Sequence, residues 1–224
     1  MRLAQFDTVF FDFDGVICDS NMLKRDNIRR ACISCDVSAQ KSEEFVSYFT
    51  SLNGVPRERK TRLFFKDDEL SDRILKAYSE NNTNLLEAPL LPGLVPFLKK
   101  TTNKRCIVLS GGNLKEITNF LKKHGLITFF EQILCGPSSK EENLNQLGNY
   151  GSAFFIGDSS HDYEVARSFN LPFVFMFAAT QMTDWKSREF VNTIVTKDFE
   201  TLMTQSQNSF QYHQRENGLN VNNR

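Results

Sequence analysis

Six short, apolar runs recur along the chain, and beyond residue 90 helix-like segments separate them. The runs cover residues 8–13, 105–110, 131–135, 152–158, 172–177 and 192–196. Short runs that are rich in Val, Ile and Phe are typical of buried strands. Because these strands alternate with helices, we expect an α/β fold in three layers, with helices on both faces of a parallel sheet.

One long stretch, residues 18–88, breaks this alternation. It contains four helix-like patterns and no strand-like run, and turn-forming glycine and proline residues precede and follow it. We therefore expect an α-helical cap at residues 18–88, inserted into a core formed by residues 1–17 and 89–204. Residues 205–224 are rich in Asn, Gln and Ser, which predicts a flexible tail.

The composition limits the possible partners. The 27 basic and 27 acidic residues cancel, so no net charge favours nucleic acid or an anionic membrane as a partner. No apolar stretch approaches the roughly 18 residues of a membrane span. Five scattered cysteines suit reduced thiols better than a disulfide framework. We expect a soluble, cytoplasmic protein, and the sequence leaves its oligomeric state open.

Two aspartates, Asp12 and Asp14, close the first apolar run and precede Gly15. Side chains two apart on a strand point to the same side, so both carboxylates can face one ligand at the carboxyl end of the strand. Two aspartates can also simply end a strand and begin a loop. The pair alone therefore favours a functional site only slightly.

Three later motifs follow other predicted strands at the same edge of the sheet. They are Ser110, Gly111 and Gly112 after the second strand, Lys140 after the third, and Asp158 with Asp162 after the fourth. A hydroxyl beside unhindered backbone N–H groups can hold a phosphate, and carboxylates at a strand end are typical of Mg²⁺ sites. Each motif alone also has an ordinary explanation as a turn, a helix cap or a surface charge.

The motifs DFDGV, LSGG, SSKEEN and GDSSHD occur in this order, and with them the chain resembles the haloacid dehalogenase-like superfamily over residues 8–170. The subgroup with a helical cap after the first motif is the most similar, as in phosphoglycolate phosphatase and β-phosphoglucomutase. The resemblance implies a Rossmann-like core. It also implies that Asp12 attacks phosphorus to form an aspartyl-phosphate, with Asp14 as general acid and base.

The resemblance further implies a magnesium ion. Asp12, Asp158 and the backbone carbonyl of Asp14 would hold it, while Asp162 would orient Lys140 or a metal-bound water. If two carboxylates and a phosphate dianion share the site, about four negative charges meet there. Mg²⁺ and one lysine supply three positive charges, which leaves a small excess. Ser110 and the amides of Gly111 and Gly112 would hold the transferring oxygens.

The expected activity is therefore hydrolysis of a small phosphorylated metabolite, a sugar phosphate or a phosphoglycolate-like acid. Asp14 favours phosphoryl chemistry over dehalogenation, which needs no acid. A phosphonatase would need a Schiff-base lysine, for which Lys24 or Lys60 could be proposed. A phosphosugar mutase or a catalytically silent scaffold are the alternatives.

Within the cap, Arg57 and Lys60 are three apart and share a helical face. They would bind an anionic or hydroxyl-rich leaving group, or form a solvated basic face.

Overall fold

The computed structural model describes residues 3–205, with the backbone alone at position 83. Within this range the chain forms one sheet of six strands. They are β1 (Thr8–Phe11), β2 (Arg105–Asn113), β3 (Gln132–Gly136), β4 (Ala153–Gly157), β5 (Phe173–Met176) and β6 (Thr193–Thr196). All neighbouring strands are parallel, and the order across the sheet is β3-β2-β1-β4-β5-β6. Every predicted strand is present.

Four α-helices lie within residues 18–88, where the helical insertion is predicted. They are α1 (Asn21–Ser34), α2 (Ala39–Ser51), α3 (Arg57–Phe65) and α4 (Asp68–Asn81). The helices of the core are α5 (Leu94–Lys100), α6 (Leu114–Lys123), α7 (Lys140–Leu147) and α8 (Ser160–Ser168), and residues 199–205 are also helical. Short 3₁₀ turns cover Leu3–Gln5, Asn82–Glu87 and Ile127–Phe129.

The sheet is buried on both faces because successive side chains of each strand point to opposite sides. Val9 and Phe11 of β1 belong to an apolar cluster that includes residues of α5 and α6. Phe10 lies in a second cluster, with residues of α7 and α8. Burying one side chain of this size contributes about 1.5–3 kcal/mol. The three-layer, Rossmann-like α/β fold is thus confirmed.

The insertion has an apolar cluster of its own, formed by α1 to α4 and the loops between them. Phe45 is fully buried at its centre, and its ring contacts those of Phe49, Phe64 and Phe65. The four helices therefore pack against one another and do not depend on the sheet for their core. The flexible tail is predicted for residues 205–224, and residues 206–224 lie outside the described residues.

Strand β1 lies between β2 and β4. The chain adds β2 and β3 on one side of β1 and then returns to add β4, β5 and β6 on the other side. In parallel sheets such a reversal opens a crevice at the carboxyl ends of the strands, where ligands bind. The residues that follow β1 and β4, and those at the end of β2, meet at this edge. Within residues 3–205, no helix combines the length and hydropathy required to cross a bilayer.

Candidate active site

Asp12 is the first residue after β1 and lies at the centre of the crevice. Its backbone N–H donates to the carbonyl of Ile156 (2.9 Å), which continues the pairing with β4. Its Oδ1 accepts a hydrogen bond from Lys140 Nζ at 2.8 Å. Lys140 is fully buried at the first position of α7, where the capping box formed by Ser139 and Glu142 holds the helix start. Asp12 and Lys140 thus meet as predicted.

Asp162 is the second carboxylate bonded to Lys140. Its other oxygen, Oδ2, accepts hydrogen bonds from the hydroxyl (2.6 Å) and the backbone N–H (3.1 Å) of Ser159. Both oxygens of this buried side chain are therefore engaged. The position suits the first of its two predicted roles, in which Asp162 orients Lys140 rather than a metal-bound water.

Three buried carboxylates, those of Asp12, Asp158 and Asp162, can each place an oxygen within 4.8 Å of the others. Burial raises the pKa of Asp12 to about 7 against the opposing effect of Lys140. Burial, together with Asp12 and Asp162, also raises the pKa of Asp158 well above its usual range. Asn21 donates to Asp158 Oδ2 at 2.7 Å. Against three carboxylates the cluster has one ammonium, so its charge and its oxygen ligands suit one divalent cation.

The side chain of Asp14 lies outside this cluster and is held by the insertion. Its Oδ2 pairs with Lys24 Nζ at 2.5 Å, and its Oδ1 accepts from the Ser20 hydroxyl at 2.5 Å. Burial alone would raise the pKa of Asp14, but the lysine and the hydroxyl outweigh it and lower that pKa. Asp14 is consequently a carboxylate in this arrangement.

Ser110 and the two glycines after it lie at the end of β2, beside this cluster. The Ser110 side chain is buried, and its hydroxyl accepts from the N–H of Gly112 at 3.1 Å. A Cβ at Gly111 would lie 2.3 Å from the carbonyl oxygen of Gly54 in the insertion. Only a glycine at this position allows the insertion to contact the loop.

Gly111→Ala tests this contact. Because the added methyl would collide with backbone and not with a flexible side chain, we expect the insertion to be displaced and the kcat/KM of the enzyme predicted from the motifs to fall about tenfold or more. The melting temperature should change little, since the core of the sheet is untouched. Gly125→Ala is the control for kinetics, because a Cβ there would meet nothing within 4 Å. Its φ of 67° means that this variant should lose stability while its kcat/KM stays unchanged. Unchanged kinetics for Gly111→Ala would contradict this role of the contact.

Arg57 and Lys60, at the start of α3, are both buried at the inner surface of the insertion, with 7% and 4% of their surfaces exposed. The solvated basic face is therefore excluded. Lys60 donates to the carbonyl of Phe49 at 3.1 Å and lies 3.6 Å from the centre of its ring. Burial, with the charge of Lys24 next in effect, lowers the pKa of Lys60 to about 7. Both side chains line the same cavity as Asp12 and Ser110.

Several site contacts were not predicted from the sequence. Ser20 and Lys24 are four apart around the start of α1, a spacing that places both on the side of the helix facing Asp14. This four-residue spacing, directly after the first motif, could have indicated that both side chains face Asp14. Asn21 could also have been suspected by its proximity to the motif. Glu116, which binds Arg57, carries no comparable signal because 59 residues separate the two.

The family model described as haloacid dehalogenase-like hydrolase matches residues 9–176. This match covers well over half of the chain, and the motifs assembled above lie within it. The chain therefore belongs to the haloacid dehalogenase-like hydrolase family. The prediction of an enzyme of this hydrolase family is confirmed.

Solved structures of similar fold include a predicted phosphatase from Clostridium acetobutylicum, with a TM-score of 0.72 and 19% identity over 92% of this chain and 99% of that one. A hydrolase from Pseudomonas syringae has a TM-score of 0.70 and 17% identity, over 90% and 98% of the two chains. A predicted phosphoglycolate phosphatase from Haemophilus somnus 129pt has a TM-score of 0.69 and 16% identity, over 91% and 99%. At these identities the likeness shows the fold alone.

One curated protein also matches locally. The potassium-binding subunit of the potassium-transporting ATPase from Cutibacterium acnes is 34% identical over 58 residues, which are 26% of this chain and 10% of that protein. The chain thus matches about a tenth of this relative's length. So short a segment carries no argument about the activity of the chain.

Proposed function

We propose that the chain is a Mg²⁺-dependent phosphatase that hydrolyses a small phosphorylated metabolite through a covalent aspartyl-phosphate on Asp12. The observation that supports this most directly is the surroundings of Asp12. Its carboxylate lies at the carboxyl edge of the sheet, bonded to the buried Lys140 and beside Asp158, and it lines the same cavity as Ser110. These groups provide a nucleophile, a fixed positive charge and a phosphate-binding loop together.

Each residue has a defined part in the proposed reaction. The free oxygen of Asp12 attacks phosphorus while Lys140 holds the other oxygen and offsets the charge of the phosphoryl group. Ser110 and the amides of Gly111 and Gly112 bind the transferring oxygens. Asp162 holds Lys140 in place before the reaction begins. The ammonium therefore does not have to move as charge develops during phosphoryl transfer, and such preorganisation is a main source of electrostatic catalysis.

Mg²⁺ fits the buried carboxylates because, when all three are ionised, their net charge with Lys140 is minus two. Asp12, Asp158 and the backbone carbonyl of Asp14 would hold it. When bound, the ion neutralises these carboxylates and polarises the phosphoryl oxygens, so that a dianionic substrate can approach.

Asp14 is the proposed general acid and base. As a carboxylate paired with Lys24 it is ready to take a proton from the water that hydrolyses the aspartyl-phosphate. To protonate a leaving oxygen first, its pKa must rise. A phosphate dianion bound nearby would raise it, both by direct repulsion and by competing for the ammonium of Lys24.

The insertion, residues 18–88, is proposed to act as a cap that opens and closes on the core formed by residues 1–17 and 89–204. The cavity between them has a volume of about 40 Å³. Residues of the insertion, Gly54 and Val55 among them, line this cavity together with Asp12 and Ser110 of the core. Movement of the insertion would therefore open or close the way to Asp12.

Arg57 and Lys60 are proposed to bind the leaving group. No carboxylate within residues 3–205 forms an ion pair with Lys60, so its buried charge has no permanent counter-ion. A leaving group with its own carboxylate, phosphate or hydroxyl groups would supply one. This agrees with the predicted phosphoglycolate phosphatase named among the structures of similar fold, and with a sugar phosphate or phosphoglycolate-like substrate.

The direct test is a panel of phosphate monoesters assayed with Mg²⁺. We expect hydrolysis of p-nitrophenyl phosphate and of at least one ester with an anionic or hydroxylated leaving group. Chelation should reduce activity at least about tenfold, because unscreened carboxylates would repel the substrate dianion, and Mg²⁺ should restore it. Added K⁺ serves as the control for ionic strength. Full activity in chelator would rule out the metal, and no turnover of any ester would rule out the phosphatase.

Lys60 should make substrate selectivity depend on pH. Its ammonium faces the charges of Lys24, Asp14, Arg57 and Glu58, and it is lost as pH rises through about 7. The kcat/KM for phosphoglycolate, relative to that for p-nitrophenyl phosphate, should therefore fall about tenfold between about pH 6 and about pH 8.5.

Titrations of enzyme groups that meet both esters, such as Asp12, cancel in this ratio. The second phosphate pKa is about 6 for an alkyl ester and lower for an aryl ester, so its effect is removed by comparing the wild type with a Lys60 variant. The control is Lys60→Arg, which keeps its charge throughout this range and should flatten the profile. A ratio that does not change with pH in the wild type would show that Lys60 does not bind the carboxylate.

A further inference from the structure

Glu116 lies in the first turn of α6, which begins directly after β2, the strand whose last residues include Ser110. Asn113 caps this helix and accepts from the backbone N–H groups of Lys115 (3.0 Å) and Glu116 (3.3 Å). A carboxylate at the N-terminus of a helix is stabilised by the helix dipole. One strand and helix unit of the core therefore places both the proposed phosphate-binding residues, Ser110 to Gly112, and the Glu116 carboxylate.

Across the boundary with the insertion, Glu116 Oε2 accepts a hydrogen bond from Arg57 Nη2 at 2.6 Å. The guanidinium also packs on the ring of Tyr78, 4.7 Å from its centre, and its Nε lies 3.8 Å from Glu58. Arg57 is 7% exposed, and among the described residues its Nη1 is buried without a hydrogen-bond partner. A buried charged donor left unpaired is costly, so Nη1 requires an acceptor.

The cavity that contains Asp12 and Ser110 can supply this acceptor, because Arg57 lines it. Nη2 is bonded to Glu116, and the plane of the guanidinium packs on the ring of Tyr78. The guanidinium group therefore has little freedom to rotate. An acceptor that enters the cavity next to Arg57 would therefore meet Nη1 in a fixed orientation, and a fixed N–H of a guanidinium selects an anionic oxygen.

We propose that Glu116 is a positioning residue that directs Nη1 of Arg57 toward a second acidic group on the substrate, at the end remote from the phosphoryl group. This rests on the proposed phosphatase function. Glu116 does not touch the substrate. Because Glu116 and Ser110 belong to one unit of the core, they determine the spacing between the two anion-binding points when the cap closes. Substrates with a matching separation of charges are preferred.

Binding of non-hydrolysable phosphonates tests this inference by calorimetry in the presence of Mg²⁺. Phosphonoacetate, 3-phosphonopropionate and 4-phosphonobutyrate carry a carboxylate at increasing distance, and the matched alkylphosphonates lack it. We expect the wild type to bind the best carboxylated member at least about tenfold more tightly than its alkyl counterpart. Glu116→Gln should remove most of this preference and leave the affinity for the alkylphosphonate within about twofold.

The double variant shows how Glu116 acts. If it works only through Arg57, then Arg57→Ala combined with Glu116→Gln should be no worse than Arg57→Ala alone. Glu87 is the matched control, because its ion pair with Lys123 also joins the insertion to α6 but lies at the surface, away from the cavity. Glu87→Gln should keep the full preference.

Three results would overturn the proposal. The first is equal binding of carboxylated and alkyl phosphonates by the wild type. The second is a double variant whose loss of preference equals the sum of the losses in Arg57→Ala and Glu116→Gln. The third is a loss of preference in Glu87→Gln as large as that in Glu116→Gln. Turnover enters none of these measurements. A protein that hydrolyses no phosphate ester would refute the proposed function, yet the role of Glu116 would still be decided by binding.

Discussion

Asp12→Asn should lower kcat for every phosphate ester by at least about 10⁴-fold, since loss of a catalytic nucleophile commonly costs this much or more. An amide oxygen is a poor nucleophile and forms no stable acyl-phosphate. In the wild type, acid quenching during turnover should trap one phosphoryl group on the peptide that contains Asp12, detected by its mass. The variant should show none.

The same substitution should not destabilise the protein. Burial raises the pKa of Asp12 to about 7, above its value in the unfolded chain. Such a group stabilises the native state least where it is ionised, so the contribution of Asp12 to stability decreases as pH rises from about 4 toward 7. Asn removes one charge from the cluster with Asp158 and Asp162, and Lys140 keeps its bond to Asp162. Without added metal, the free energy of unfolding near pH 8 should be unchanged or higher, by on the order of 1 kcal/mol.

Asp7 provides the matched control at the opposite end of the same strand. It bonds to Ser152 and lies far from the crevice. Asp7→Asn should therefore keep wild-type kinetics, and any change should be in stability. Turnover by Asp12→Asn near the wild-type rate would refute the covalent route. A large loss of stability would mean that Asp12 is needed for folding as well as chemistry.

The core of the site could be predicted because strand periodicity and one topological rule determine it. Asp12 and Asp158 each follow an apolar run, and Ser110 closes another. Parallel strands end at one edge, so residues at their carboxyl ends must be neighbours. Lys140 follows the third strand at a helix start and meets Asp12 for the same reason. No knowledge of side-chain packing was needed.

The contacts of the insertion could not be predicted in the same way. The spacing of Arg57 and Lys60 fits a buried and a solvated helical face equally well, and only the packing of α3 against α4 and the core decides between them. The partner of Arg57 lies 59 residues away, and no periodicity relates the two. From the sequence, Lys24 is one of two lysines that could form the Schiff base of a phosphonatase, whereas in the structure it pairs with Asp14. Such contacts depend on how two separately packed units meet.

Asp14→Asn should reduce kcat for an alkyl phosphate by about 10²- to 10⁴-fold, the usual contribution of general acid and base catalysis. The substitution also leaves Lys24 without its carboxylate, close to the charges of Lys60 and Arg57. Part of any loss could therefore be electrostatic. The double variant Lys24→Gln with Asp14→Asn removes both charges of the pair and separates this effect from proton transfer.

The aryl ester p-nitrophenyl phosphate separates the two proton transfers of Asp14. Its leaving group departs as a stable phenolate and needs little protonation, so Asp14→Asn should form the aspartyl-phosphate on Asp12 at close to the wild-type rate. Hydrolysis of that intermediate still requires a base. Rapid mixing should therefore show a burst of about one p-nitrophenolate per enzyme followed by slow turnover, with phosphoenzyme accumulating. The double variant with Lys24→Gln should show the same burst if proton transfer is the cause. A slow first turnover in both variants would mean that Asp14 acts by holding the site together and not as acid and base.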